Sequence, residues 1–311
     1  MNLTMRMYQT EEDYWRLRAF LREVFLLDNC RELSWQVARL DYWRFFGNEN
    51  IEGYALNEAI CLWETEAGRI AAFVTPESRG YAYLQVHPAF RLLTLEIDML
   101  EAAETHLAEP DGGQQHVIAL AHQTDELRMQ ALQERGYVRG DWPEHQFRRC
   151  LDDDIPEARP APGYTIRSLG DASELPARSW LSWRAFHPDE PDENYEGWQW
   201  YLDIQRCPLY RRDLDLVAVA PDGELAAFTT VWYDDVTRTG YFEPVGTSPD
   251  HQRRGLARAI MTEGLRRLKH MGAIYATVAG YSEAATALYA SVMSPHAMLC
   301  QRWHKRWTPS Y

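Results

Sequence analysis

The strongest chemical signal in this chain runs from Gly240 to Lys269, GYFEPVGTSPDHQRRGLARAIMTEGLRRLK. Within it, Gln252, Arg253, Arg254, Gly255, Leu256, Ala257 and Arg258 combine guanidinium groups with small residues. Those residue types suit an anion carrying several phosphates. Gly255 lets ligand atoms approach the backbone. A helix that starts there offers unpaired N–H groups and the positive end of its dipole. The arginines add charge where a pyrophosphate would lie.

A cradle of this kind needs a strand to deliver the loop and a helix to receive it. By the period of two, Tyr241, Glu243, Val245 and Thr247 fall on one strand face. Phe242, Pro244 and Gly246 fall on the other. Ser248-Pro249-Asp250 makes a turn. Leu256, Ile260, Leu265 and Leu268 then recur near one face of an amphipathic helix.

Taken in this order, the stretch resembles the GNAT superfamily of acetyl-CoA-dependent N-acetyltransferases. Their signature after the fourth strand is Gln/Arg-x-x-Gly-x-Gly/Ala, which Gln252, Gly255 and Ala257 match position by position. Val245-Gly246-Thr247-Ser248-Pro249 is similar to the family's strand and turn. The resemblance implies acetyl-CoA as co-substrate, with no metal. It implies cofactor-binding roles for Val245, Gly246, Thr247, Gln252, Arg253, Arg254, Gly255, Leu256, Ala257 and Arg258.

Acetyl transfer to an amine needs a base, a polarised thioester carbonyl and an acid for the leaving thiolate. Bases in the family often occupy this strand, at positions matching Glu243 or Tyr241; Glu243 ranks first. The alternative for Glu243 is a structural carboxylate paired with an arginine. The backbone N–H of Val245 or its neighbour is the partner for the carbonyl. Ser282-x-x-Ala285-x-x-Leu288-Tyr289 is similar to the family's Asn-x-x-Ala-x-x-Leu-Tyr helix, whose tyrosine serves as general acid. A phenol with a pKa of about 10 suits that task. Here Ser282 replaces the asparagine, and Met293-Ser294 replaces the usual Gly-Phe. The alternative for Tyr289 is a tyrosine packed on the sheet.

The remaining chain reads as two copies of one plan. Ala71-Ala72-Phe73 answers Ala226-Ala227-Phe228, and Gly80-Tyr81 answers Gly240-Tyr241. The expected fold is α/β (α+β): two tandem GNAT-like domains, each a mixed, mostly antiparallel twisted sheet flanked by helices. The expected boundaries are residues 1–151, a linker at 152–163 rich in carboxylates and prolines, and a catalytic domain at 164–311 with Met298 to Trp307 as its last strand. This tandem plan resembles that of mycothiol synthases in architecture. In the first copy Arg91, Thr94 and Glu96 stand at Gln252, Gly255 and Ala257, and Leu132 stands at Tyr289. A carboxylate there repels a pyrophosphate, so the first copy is expected to be degenerate.

Bulk properties narrow the partners. The chain has 311 residues, 46% of them hydrophobic, enough for about two ordinary globular domains. A net charge of −14 argues against nucleic acid and anionic membranes. It suits a small-molecule or peptide amine as acceptor, neutral or cationic, with an aminoglycoside or a polyamine among the cationic candidates. His187 to Glu196 carries five carboxylates and reads either as a border of that acceptor site or as a solvated loop. Five scattered cysteines and the lack of a leader pattern point to a cytoplasmic protein. The oligomeric state stays open. A non-catalytic acetyl-CoA sensor or scaffold is the alternative function.

Overall fold

The computed structural model describes residues 2–308. The Tyr311 carboxylate, whose part in catalysis the sequence leaves open, lies outside the described residues. In chain order the first elements are β1 (Leu3–Met7), α1 (Glu11–Leu27), α2 (Val37–Tyr42), α3 (Leu56–Ala59), β2 (Cys61–Thr65), β3 (Ile70–Thr75) and β4 (Tyr81–Val86). Then come α4 (Leu93–His106), β5 (Glu109–Asp111), β6 (Gln114–His122), α5 (Glu126–Glu134), β7 (Val138–Arg139) and β8 (Glu144–Cys150). After an irregular run follow β9 (Thr165–Ser168), α6 (Leu175–Phe186), α7 (Tyr201–Gln205), β10 (Asp215–Val219), β11 (Leu225–Asp234) and β12 (Thr239–Thr247). The chain closes with α8 (Leu256–His270), β13 (Tyr275–Gly280), α9 (Glu283–Val292) and β14 (Met298–Trp307).

Two compact units result, and they are not the two sequence halves. The first takes the chain up to Gln146 and again from Met298; the second is Phe147–Ala297. Sequence order assigns β14 to the second copy, but the structure places it in the first. There it pairs antiparallel with β6, from Cys300 opposite His122 to Trp307 opposite Gln115. Its two faces explain this. Trp303 packs into one core cluster of the first unit and Cys300 into the other. Phe147 to Leu151 belong to the second unit, where the Leu151 N–H donates to the Ile274 carbonyl.

In the first unit the strand order is β1-β2-β3-β4-β6-β14-β8, antiparallel except where β4 and β6 run parallel. Alternation along β2 sends Leu62 into a cluster with Leu17, Phe20 and Val24 of α1. Cys61 and Trp63 go into a cluster with Leu95, Met99 and Leu100 of α4. Helices therefore cover both faces. Thr10 occupies the start of α1, but its side chain makes no capping hydrogen bond. The Asp13 carboxylate instead accepts from the Gln9 N–H and from Arg6.

The second unit repeats the plan with the order β9-β10-β11-β12-β13, antiparallel except for the parallel pair β12–β13. Val231 and Phe242 pack with Leu265 and Leu268 of α8, while Gly246 sits against Phe228 and Ala185 of α6. The sheet is thus a two-faced scaffold between α6 and α8. Both units are mixed, mostly antiparallel sheets with flanking helices, as the sequence predicts.

Candidate functional site

The site arises where two parallel strands part. The β12–β13 ladder runs from Thr239 opposite Tyr275 to Tyr241 opposite Thr277 and ends there. Beyond that point a cleft of about 680 Å³ opens. Val245, Gly246 and Thr247 of β12 line it, as do Gln252, Arg253 and Gly255 of the following loop. Leu256, Ala257 and Arg258 of α8 and Leu288 and Tyr289 of α9 complete that wall.

The loop geometry explains the residue types. Gly255 sits at the start of α8 with φ 73°, a left-handed conformation that glycine adopts at least cost. A Cβ added there would meet nothing within 4 Å, so the space above it belongs to the cleft. Arg253 is also left-handed, at φ 63°. No acidic residue occupies the first turn of α8, which leaves its N-terminal field positive. Gly246 is required by packing: its Cβ would stand 2.4 Å from Cζ of Phe228. Arg254 is the one predicted cradle residue that does not line the cleft. Its guanidinium lies over the Tyr164 ring, 6.0 Å from the centroid.

The three predicted catalytic residues are placed differently from one another. Tyr289 is buried, lines the cleft, and meets the Phe147 ring edge-on. Burial first, then the negative charge of Glu243, push its phenol well above its ordinary range. Tyr241 is buried at the end of the β12–β13 ladder, away from the cleft lining. Glu243 is half-buried and also absent from the lining, though its charge reaches Tyr289.

The predicted strand face needs correcting. Thr229 lies opposite Val245 and Val231 opposite Phe242, so two steps on β11 match three on β12. The extra residue is a bulge at Glu243 and Pro244, whose peptide is cis. Proline brings no N–H to the ladder, so pairing is lost where it stands. Phe242 and Val245 consequently share a face and pack in one cluster. The continuous face of Tyr241, Glu243, Val245 and Thr247 does not exist. The Glu243 carbonyl accepts from Trp232 Nε1 at 2.5 Å, which fixes the bulge in place.

Sequence reasoning missed His251, Ala185 and Phe186, which also line the cleft. His251 adjoins Gln252 and is held by the Tyr164 hydroxyl, 2.9 Å from its Nδ1. Phe186 ends α6 with its ring half in solvent, a position that only the packing of α6 over Phe228 reveals.

The corresponding place in the first unit is built differently. Six residues, 87–92, separate β4 from α4, against eight, 248–255, between β12 and α8. The residue before α4, Leu92, is extended rather than left-handed. Glu96 is fully buried and held by Arg91 and by Arg128, whose Nε lies 2.9 Å from Oε2. Arg91 also pairs with Asp125 at 2.8 Å. Burial opposes that charge, but Arg128 and Arg91 keep the Asp125 carboxyl below its usual range. The first copy's carboxylate is therefore neutralised from within.

Among the described residues, no three His, Cys, Asp or Glu side chains group as a metal site. No helix there is long and apolar enough to cross a membrane.

Comparison with known proteins agrees with this architecture. Residues 175–293 match the acetyltransferase (GNAT) family. No curated protein matches the sequence significantly. Among solved structures, a GCN5-related N-acetyltransferase from Sphaerobacter thermophilus superposes with TM-score 0.67 at 18% identity, covering 99% of this chain and 97% of that one. A tandem GNAT protein from the clavulanic acid biosynthesis pathway gives 0.64 at 15%, covering 100% of both chains. A GNAT-family acetyltransferase from Colwellia psychrerythraea gives 0.61 at 13%, covering 97% of this chain and 100% of that one.

Proposed function

We propose, from the match of residues 175–293 to the acetyltransferase (GNAT) family, that this chain acetylates a primary amine of a small molecule or peptide by direct transfer. The one working site lies in the second unit. A single observation carries the reading: one cleft gathers Gly246, Gln252, Gly255, Ala257 and Tyr289. The donor groups fit a coenzyme pyrophosphate. The cleft over Gly255 is open, the first turn of α8 lacks acid, and Arg258 makes no ion pair among the described residues. Bound there, acetyl-CoA supplies the acetyl group as a thioester.

The chain's own groups then divide the work. The start of α8, with Arg253 and Arg258, holds the phosphates. Arg254, stacked near Tyr164, adds only to the surrounding field. Backbone N–H groups about Val245 orient the carbonyl. Glu243 takes the amine proton, through water because it stands off the cleft lining, as the nitrogen bonds to the acetyl carbon. Tyr289 gives its proton to the departing thiolate as the carbon–sulfur bond breaks. Its raised pKa keeps that proton in place at neutral pH. Tyr241, buried at the ladder's end, positions β12 rather than taking the proton. Asp189, Glu190 and Glu193 are exposed and favour a cationic acceptor.

The test is turnover of acetyl-CoA over a panel of amines, with thiol release as readout. Amine-dependent thiol release lost in Tyr289→Phe supports the reading. Coenzyme binding without release for any amine favours the sensor.

A further inference from the structure

A second cavity, of about 260 Å³, adjoins the cleft and shares Arg258 and Ser291 with it. Arg149, Arg159 and Arg258 line it, against one carboxylate, Glu157. Arg149 is fixed there by its Nη1, which donates to the Val292 carbonyl at 2.5 Å. Its Nη2 donates to the Asp154 carbonyl at 2.8 Å. Its Nε–H is buried with no partner, and a buried donor left unpaired is costly. The Arg258 guanidinium makes no ion pair among the described residues. Arg159 meets Glu157 only at 3.7 Å, with both side chains mostly in water. Such a pair contributes little and yields easily to a better anion.

We propose that this cavity binds the 3′-phosphate at the adenosine end of the coenzyme. The inference rests on the acetyl-CoA reading above and extends it. A pyrophosphate seated at the start of α8 leaves its adenosine end beside Arg258, which is where the second cavity begins. A phosphate monoester carries close to two negative charges and accepts several charge-assisted hydrogen bonds. Three guanidiniums around one small cavity answer that chemistry. Arg149 and Arg159 lie outside residues 175–293, the segment that matches the family. The irregular run from Asp152 to Gly163 thereby does more than connect: it brings a phosphate-reading side chain to the site.

The experiment is calorimetric titration of acetyl-CoA and of 3′-dephospho-acetyl-CoA into the full chain, its Arg159→Ala variant and its Arg149→Gln variant. The wild type binds acetyl-CoA at least about tenfold more tightly than the dephospho form, the worth of one good charge-assisted contact. Arg159→Ala narrows that preference and leaves dephospho binding unchanged. Arg149→Gln, which also loosens the Asp154 contact, narrows it further. Equal wild-type affinities for the two forms overturn the assignment while leaving the coenzyme site intact. A preference that survives in both variants overturns the assignment to these residues. Failure of both forms to bind overturns the underlying acetyl-CoA reading instead.

Discussion

The Arg128 guanidinium donates to the Leu84 carbonyl at 2.8 Å. Leu84 lies on β4 just past Ala82, where the parallel ladder with β6 ends. In the first unit, a side chain thus satisfies the strand edge that in the second unit borders an open cleft. Arg128 and Glu96 are both buried, so neither can lose its partner cheaply. Arg128→Met should destabilise the protein by about 3–5 kcal/mol, the cost of breaking a buried pair. Denaturant unfolding measures it. A loss below about 1 kcal/mol, typical of surface pairs, would contradict this account of the first unit.

Tyr289→Phe should lower kcat by about a hundredfold or more, the usual worth of a positioned general acid. The acetyl-CoA Kd should stay unchanged, since the phenol is needed for proton transfer rather than binding. Steady-state kinetics with calorimetry separate the two. A Kd that rises in step with the loss of kcat would make Tyr289 a packing residue.

The pH profile follows from the same phenol. Burial and Glu243 raise its pKa, so the acid stays protonated through the neutral range. The alkaline limb of kcat should therefore not begin below about pH 10, the free phenol's value. Glu243→Gln removes the neighbouring charge and should move that limb downward while lowering kcat/KM about a hundredfold. An alkaline limb that does not move would separate Glu243 from the site.

Glu32 in the first unit offers a stability test. Burial, opposed in part by the hydrogen bond from Gln36, raises its carboxyl to about 7. Its folded pKa exceeds its unfolded one, so its contribution is whole below the ordinary carboxylate range. That contribution is lost as pH rises through 7. Glu32→Gln should thus stabilise the protein at pH 8 by on the order of 2 kcal/mol and do little at pH 4. Melting curves of the pair at the two pH values decide it. Equal destabilisation at both would show that Glu32 does not titrate with a raised pKa between them, and would contradict the account.

Much of this architecture was legible because local patterns carried it. Gln252, Gly255 and Ala257 declared a loop with a special backbone, and the structure gives Gly255 the left-handed φ that explains the glycine. Alternation and helical spacing located most strands and helices. Three features were not legible, each for a physical reason. The bulge at Glu243–Pro244 shifts every later side chain by one face, and a period of two cannot register one extra residue before the partner strand is known. The placement of β14 in the first unit depends on where Trp303 and Cys300 find their cores, a long-range choice that chain order hides. The small groups that line a cleft, Ala185 among them, carry no signal of their own.

The central claim is a single coenzyme site built on the loop before α8. Calorimetric titration of acetyl-CoA into the wild type and Gly255→Glu tests it most directly. The substitution finds open space rather than a packing clash, so the variant should fold, at a cost of about 1–2 kcal/mol for a side chain in the left-handed conformation. The account predicts a stoichiometry of one for the wild type and no binding for the variant. A stoichiometry of two, or undiminished binding by Gly255→Glu, would contradict it.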